Sequence, residues 1–245
     1  MATAVLGGLA GLAVVQGAPG LTAPAIAALT PLRQRLLPRL AGLGEPGHLA
    51  LTFDDGPDPA TTPAFLEALA ARRVRATFFL LGSMAAKAPR LAAEIAAAGH
   101  EIAVHGWDHR YTISRPPRAV RDDLARATDA VAGATGQFPR FYRPPYGVLS
   151  AGALAAARGL ALRPVLWTCW GREWTPGSTP GSVYRSLTNG LAGGGCVLLH
   201  DSDAASPPGS ARAALGALPL LLDECGRRGL LPGPLAEHGL TRTAH

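Results

Sequence analysis

The chain has 245 residues, of which 48% are hydrophobic and 16% are charged, and its formal net charge is +6 at pH 7. This length suits one large domain with a buried core, and the apolar composition excludes an intrinsically disordered chain. The positive charge comes from arginines spread along the chain, without a basic block or a nucleic-acid-binding motif, so we expect no nucleic-acid partner.

Residues 1–47 form an apolar segment and a linker ahead of the main domain, which is predicted to span residues 48–245. Residues 2–29 carry no charge and are long enough to span a bilayer, but glycines and prolines interrupt them. A membrane anchor and a loosely packed apolar segment are both open. A cleavable signal peptide fits less well, because the arginines follow the apolar stretch instead of preceding it.

From His48 onward, short apolar runs alternate with longer amphipathic segments, which predicts β-α units around a parallel sheet. The predicted strands are at 48–53, 76–81, 101–104, 141–143, 164–168, 196–199 and 230–231. The predicted helices are at 62–72, 83–98, 116–134, 150–158, 182–191 and 210–228. The fold class is therefore α/β, with seven strands.

The unusual polar residues of the chain follow the carboxyl ends of the predicted strands. They are Asp54 and Asp55, His105 and His109, Arg143 and Tyr146, Glu173 and Trp174, and His200. In a parallel barrel these strand ends meet at one face, where active sites form. Five distant segments are therefore expected to converge on one pocket.

Two adjacent carboxylates, Asp54 and Asp55, end the first strand and precede a Gly-Pro pair. An acidic turn would account for this string alone, and ordinary histidines would account for His105 and His109 alone. Together the two motifs indicate a bound cation, because adjacent carboxylates beside apolar residues need a compensating positive charge. A helical turn after the third strand would put both imidazoles on one side, completing a His-His-Asp metal set with positions open for water.

The remaining groups suit the hydrolysis of an acyl bond. If Asp55 binds the metal, Asp54 is left to orient or deprotonate water, and His200 is placed to protonate a leaving group, although a simple loop histidine is the alternative. The rigid Pro-Pro-Tyr-Gly loop offers a backbone N–H to an oxyanion. Three tryptophans would offer flat faces to sugar rings unless they belong to the core: Trp107, Trp170 and Trp174.

The motifs TFDDGP, HxxxH, RPPYG and LLHD, with a tryptophan-containing loop, occur in this order across residues 48–235. In these features the chain resembles the polysaccharide deacetylases of the NodB-homology type, carbohydrate esterase family 4. The resemblance implies a distorted (β/α) barrel of the TIM type. It also implies a metal-dependent hydrolase that removes acetyl groups from N-acetylated sugar residues, acting on carbon-nitrogen bonds other than peptide bonds.

The resemblance assigns Asp54 as the general base and Arg143 as the group that orients it. It assigns Asp55, His105 and His109 as ligands of one divalent metal, usually Zn²⁺. Because His-His-Asp sites accept several divalent ions, Co²⁺ and Ni²⁺ are alternatives.

On the acid side, the resemblance assigns His200 as the general acid and Tyr146 as the backbone oxyanion donor, and it places Leu198 beside the acetyl methyl. The family has an Asp-Trp pair that tethers the catalytic histidine, where this chain has Glu173-Trp174. The longer glutamate is expected to hold His200 less tightly. A second departure is Gly106, which replaces a Ser or Thr and is expected to remove a loop-stabilising hydrogen bond.

Other functions remain open at this point. An O-acetyl esterase or a small-amide hydrolase would use the same fold, and a catalytically silent glycan-binding relative would keep the barrel without turnover. The expected substrate is an N-acetylated glycan, either peptidoglycan or a chitin-like oligomer. The expected location is the cell envelope or another extracytoplasmic site, membrane anchoring through residues 2–29 stays one of the two open alternatives, and the expected state is a monomer.

Overall fold

A curved parallel sheet lies at the centre of the computed structural model, which describes residues 30–240. The strands are β1 (His48–Asp54), β2 (Thr77–Leu80), β3 (Glu101–Val104), β4 (Phe141–Tyr142), β5 (Arg163–Pro164), β6 (Cys169–Trp170), β7 (Cys196–His200) and β8 (Leu231–Gly233). The helices are α1 (Thr30–Leu36), α2 (Thr62–Arg72), α3 (Gly82–Lys87), α4 (Pro89–Ala97), α5 (Pro117–Thr135), α6 (Ala151–Gly159), α7 (Pro180–Gly190) and α8 (Ser210–Arg227). Short 3-10 turns cover Pro145–Gly147 and Leu235–Glu237.

The strand order is β5-β4-β3-β2-β1-β7-β6, and every pairing is parallel. The eighth strand, β8, pairs with the first three residues of β1, outside this path. The seven-strand path confirms the predicted α/β barrel. Within the described residues the two end strands, β5 and β6, do not pair, so the barrel is open along one side.

The central strand β1 is buried along nearly its whole length because helices cover the sheet. Phe53 of β1 packs on Phe65 of α2 and on Phe78 of β2, with ring centroids 5.3 and 5.0 Å apart. The helix predicted at 83–98 is in fact two helices, α3 and α4. Pro89 separates them, because it lacks an N–H and disfavours a helical conformation at Ala88, where φ is −128° and ψ is 58°.

The strand predicted at 164–168 is wrong in its centre, because β5 and β6 are two short strands on opposite sides of the barrel opening. Val165 still donates its N–H to Tyr142 of β4, at 2.9 Å. The carbonyls of Val165 and Leu166, however, accept from the Arg143 side chain, at 3.3 and 3.0 Å. A buried guanidinium therefore supplies donors to the backbone between β5 and β6, where strand pairing stops.

The stretch expected to be a linker packs onto the barrel. Leu166 donates to the Leu40 carbonyl at 2.7 Å, Gly44 donates to the Gly194 carbonyl at 2.9 Å, and Ala41 is fully buried. The predictions for residues 2–29 lie outside the described residues. Among residues 30–240, no helix has the length and hydropathy needed to cross a membrane.

Candidate active site

The register of the sheet brings the predicted polar residues to one end of the barrel. Asp54, the last residue of β1, lies beside His200, the last residue of β7. Val104 of β3 pairs with Tyr142 of β4, so His105 and Arg143 follow side by side, and His105 Nδ1 lies 2.8 Å from the Arg143 carbonyl oxygen. Strand pairing alone thus converts residues far apart in sequence into neighbours.

Asp54 is held by a buried ion pair. Its Oδ1 accepts a hydrogen bond from Arg143 Nη1 at 2.6 Å, and the same Nη1 lies 2.8 Å from the hydroxyl of Thr52. Both charged side chains are buried. Burial raises the pKa of Asp54 above its ordinary value, and the Arg143 charge opposes that rise. The result is a carboxylate that is oriented and able to take up a proton.

Asp55 has a different environment. Its Oδ1 lies 3.5 Å from Nε2 of both His105 and His109, and neither carboxylate oxygen has a hydrogen-bond partner although the residue is only 1% exposed. The three side chains offer donor atoms that all lie within 4.8 Å of one another. Burial raises the pKa of Asp55 to about 7. A buried carboxylate without a partner, facing two imidazoles, fits the position of a metal ligand.

Both histidines are set up as neutral ligands. His105 donates from Nδ1 to the Arg143 carbonyl, which leaves the Nε2 lone pair facing Asp55. Burial lowers the pKa of His105 to about 3, and burial with the neighbouring His105 lowers the pKa of His109 to about 3. Neither imidazole is therefore charged near neutral pH.

The predicted helical turn between His105 and His109 is wrong, because residues 105–109 form a loop. Gly106 and His109 have φ values of +89° and +59°, and these left-handed conformations fold the loop back on itself. The loop is fixed from outside: Trp107 N–H bonds to Asp123 Oδ2 at 3.1 Å, and Gly82 N–H bonds to the Gly106 carbonyl at 2.9 Å. These contacts stabilise the loop without a side-chain hydroxyl at position 106.

On the other side of the cavity, Glu173 holds His200. Glu173 Oε1 accepts from the backbone N–H of His200 at 2.7 Å and from its ring Nδ1 at 2.8 Å. The expected looser hold by glutamate is therefore not seen. Burial alone would lower the pKa of His200, but the carboxylates of Glu173, Asp55 and Asp54, with Glu173 foremost, together outweigh burial and raise it to about 9. The Nε2 atom faces the acid pair, 3.9 Å from Asp55 Oδ2.

These groups surround one cavity of about 440 Å³. Its lining includes the predicted residues Tyr146, Trp174 and Leu198, while Arg143 and Glu173 lie behind Asp54 and His200. It also includes residues that the motifs did not single out: Arg33, Trp167, Arg172, Ala205, Ser206 and Pro207. The aromatic side chains form a row, since Trp170 lies 5.5 Å from Trp167 and 5.4 Å from Trp174 between ring centroids.

Trp107 is not part of this cavity. The Arg126 guanidinium lies 3.5 Å from the centre of the Trp107 ring, and the ring packs against the main hydrophobic core. Trp107 therefore packs beneath a helix arginine and does not line this cavity, so its assignment as a substrate-binding residue stays a prediction without support from the cavity lining. Tyr146 does reach the cavity, with φ of +60° in the turn Pro145–Gly147, and its ring stacks on Tyr111 at 3.8 Å.

Comparison with known proteins agrees with this geometry. A family model described as polysaccharide deacetylase matches residues 42–165. The chitooligosaccharide deacetylase of Bradyrhizobium sp. (strain ANU 289) is 35% identical over 199 residues, covering 76% of this chain and 88% of that protein. The chain belongs to the polysaccharide deacetylase family.

Two further family members extend the comparison. Peptidoglycan-N-acetylglucosamine deacetylase PgdA of Listeria monocytogenes (strain 10403S) is 34% identical over 154 residues, which cover 63% of this chain and 32% of PgdA. The chain thus matches about a third of that relative. The solved family 4 carbohydrate esterase from Streptomyces lividans, in complex with acetate, is 29% identical with a TM-score of 0.68, covering 76% of this chain and 92% of that one. The predicted family and the predicted hydrolase class are confirmed.

The match to the family model ends at residue 165, and part of the site lies beyond it. Glu173 and His200 follow residue 165, and the structure places them together at one side of the cavity. All residues with a direct chemical role in the predicted site are present in the cavity or immediately behind it.

Proposed function

We propose that this chain is a metal-dependent N-deacetylase of glycans that contain N-acetylated sugar residues. The observation that carries the proposal is the placement of three units around one cavity. These are the Asp55-His105-His109 set, the Asp54-Arg143 ion pair and the Glu173-His200 pair. The named relatives deacetylate chitooligosaccharide and peptidoglycan N-acetylglucosamine, which supports this substrate class.

The residues present fit a divalent metal. Asp55, His105 and His109 supply one oxygen and two nitrogen donors within 4.8 Å of one another, and three protein ligands leave room for water and substrate. When bound, the metal would polarise the acetyl carbonyl and lower the pKa of water. We propose Zn²⁺ as the usual ion, with Co²⁺ or Ni²⁺ able to replace it.

The remaining residues divide the proton transfers between two sides of the cavity. Asp54, oriented by Arg143, accepts the proton of the attacking water, and protonated His200 donates a proton to the departing amine nitrogen. The Tyr146 N–H lies in the three-residue turn Pro145–Gly147 beside the cavity, and it supports the oxyanion. Leu198 forms an apolar wall for the acetyl methyl.

The reaction class is tested by measuring acetate release from a defined panel. Chitotetraose and peptidoglycan oligosaccharides test N-deacetylation, acetylated xylan tests ester cleavage, and cyclic amides test small-amide hydrolysis through ammonia release. We expect acetate from the N-acetylated glycans. Release from acetylated xylan alone would identify an O-acetyl esterase, and glycan binding without any turnover would identify a silent relative.

Metal removal is expected to abolish turnover and to lower thermal stability. A chelator should reduce acetate release at least about 100-fold, and one equivalent of Zn²⁺ should restore it. Because burial raises the pKa of Asp55 to about 7, protonation competes with metal below that pH, so metal affinity should fall on acidification. Metal content, Tm and rate are measured on the same samples. Full activity in protein shown to be metal-free would contradict the assignment.

The Glu173→Gln variant is expected to move the alkaline limb of the pH-rate profile to lower pH. In the wild type, His200 stays protonated until the pH rises through about 9, because the Glu173 charge raises its pKa. Removing that charge lowers the pKa, so the acid form should be lost at least about one pH unit earlier. Glu173→Asp keeps the charge and should keep the limb near its original pH. Glu94→Gln, at an exposed site, is the control. An unchanged limb in Glu173→Gln would remove His200 from the acid role.

We also propose that the protein acts at the cell envelope. The support is the substrate named for the Listeria relative, peptidoglycan N-acetylglucosamine. Localisation of the tagged full chain by fractionation and protease protection tests this proposal.

A further inference from the structure

The cavity has a positively charged side that the proposed chemistry does not use. Arg33 and Arg172 both line it, although neither lies within residues 42–165, which match the family model. Arg33 comes from α1, ahead of the barrel, and Arg172 comes from the loop after β6. With Trp167 and Trp170 they form one surface, here called the arginine–tryptophan wall.

The wall is built from guanidinium–indole and indole–indole contacts. Arg33 Nη2 donates to the Trp167 carbonyl at 2.9 Å, and the Arg33 guanidinium carbon lies 6.0 Å from the Trp167 ring centre. The rings of Trp167 and Trp170 lie 5.5 Å apart at 34°, and the Arg172 guanidinium carbon lies 5.2 Å from the Trp170 ring. Each of the two neighbouring indole rings therefore has an arginine guanidinium beside it.

The acidic residues that line the cavity have other partners. Asp54 bonds to Arg143, and Asp55 faces the two ligand histidines. Arg172 is exposed, and within residues 30–240 it forms no ion pair with a carboxylate. A neutral chitin chain offers such a cation only hydroxyl and amide groups. A carboxylate would offer it charge-assisted, two-pronged hydrogen bonds.

Building on the proposed N-deacetylase function, we propose that the arginine–tryptophan wall is a subsite for a sugar residue that carries a carboxylate, next to the N-acetylated residue that reacts. The partly exposed Trp170 ring contacts the sugar, and the exposed Arg172 guanidinium contacts the carboxylate. Arg33 and Trp167 are buried and support these two side chains from behind. The preferred substrate class is therefore an anionic N-acetylated glycan. Neutral chitin-like oligomers are substrates of lower efficiency.

Matched tetrasaccharides test the substrate preference. One is chitotetraose; another alternates N-acetylglucosamine with N-acetylmuramic acid, whose lactyl ether ends in a free carboxylate; the third is the methyl ester of the second. We expect kcat/KM for the free acid to exceed that for the other two about tenfold, mostly through KM. The difference should shrink at high salt, since screening weakens exposed charge pairs.

Arg172→Gln tests the residue assignment, because its exposed side chain can be shortened without disturbing the core. We expect it to lower kcat/KM for the free acid about tenfold and to leave chitotetraose within about twofold. Arg33→Gln should act in the same direction, and Arg118→Gln, at an exposed residue outside the cavity, should change neither substrate.

The outcomes separate this inference from the proposed function. Equal kcat/KM for all three tetrasaccharides, or equal losses on acid and neutral substrates in Arg172→Gln, would overturn the subsite and leave the deacetylase function standing. Absence of acetate from every tetrasaccharide with metal-loaded wild type would overturn the proposed function itself.

Discussion

Asp54→Asn is expected to reduce the rate of acetate release by roughly 10²- to 10⁴-fold, the usual contribution of a general base. Asparagine keeps the shape of the side chain but cannot accept the proton of the attacking water. The metal set does not include Asp54, so metal content should remain stoichiometric. The measurements are kcat on an N-acetylated oligosaccharide and metal content of the purified variant.

The substitution also removes the countercharge of buried Arg143, so some loss of stability should accompany the loss of rate. Thermal unfolding of the variant separates these effects, because rates are compared at temperatures where it is fully folded. Asp122→Asn, at a side chain that is 70% exposed, provides the matched control and should keep full activity. A folded, metal-containing Asp54→Asn protein with wild-type kcat would show that another group is the base.

The parts of the site that sequence reasoning anticipated are those whose position follows from strand ends. A strand that finishes in Asp54-Asp55, and another that finishes at His200, must present these groups at the same face of a parallel barrel. That inference required only that the two strands exist and that they run parallel to each other. Small errors in strand length did not move the residues to another face.

The parts that it missed depend on tertiary contacts or on backbone conformations without a sequence signature. The position of Arg33 in the cavity depends on how α1 packs, and its spacing from the motifs carries no sign of that contact. The sequence around Trp107 gives no sign that the Arg126 guanidinium packs on its ring. His109 adopts a left-handed conformation that residues other than glycine take infrequently, which a helical interpretation of HxxxH does not anticipate.

The opening in the barrel gives Arg143 a second role beyond the ion pair with Asp54. Its guanidinium donates to Asp54, to Thr52, and to the carbonyls of Val165 and Leu166, where strand pairing is absent. One fully buried side chain thus orients Asp54, the proposed base, and satisfies backbone acceptors in the segment between β5 and β6. The site and the fold are coupled at this residue.

Arg143→Met is therefore expected to cost about 3–5 kcal/mol of unfolding free energy and to reduce acetate release to near background. Methionine fills part of the volume but leaves Asp54 as an unpaired buried charge. It also removes the Arg143 donor from the Val165 carbonyl and leaves the Leu166 carbonyl with the weak thiol donor of Cys196. Urea unfolding in the presence of chelator measures the stability change without a contribution from bound metal. Activity is measured separately on metal-loaded protein under folding conditions.

Two further variants separate charge from shape. Arg143→Lys restores a charge beside Asp54, but an ammonium group lacks the planar, forked donors with which arginine binds several acceptors at once. The stability and the rate of this variant should therefore fall between those of Arg143→Met and the wild type. Arg140→Met removes a neighbouring arginine that is 58% exposed and paired with Glu101, and it should cost less than about 1 kcal/mol. If Arg143→Met unfolded at the wild-type urea concentration, the guanidinium would not be holding the opening together. The ion pair with Asp54 would then make no measurable contribution to stability either.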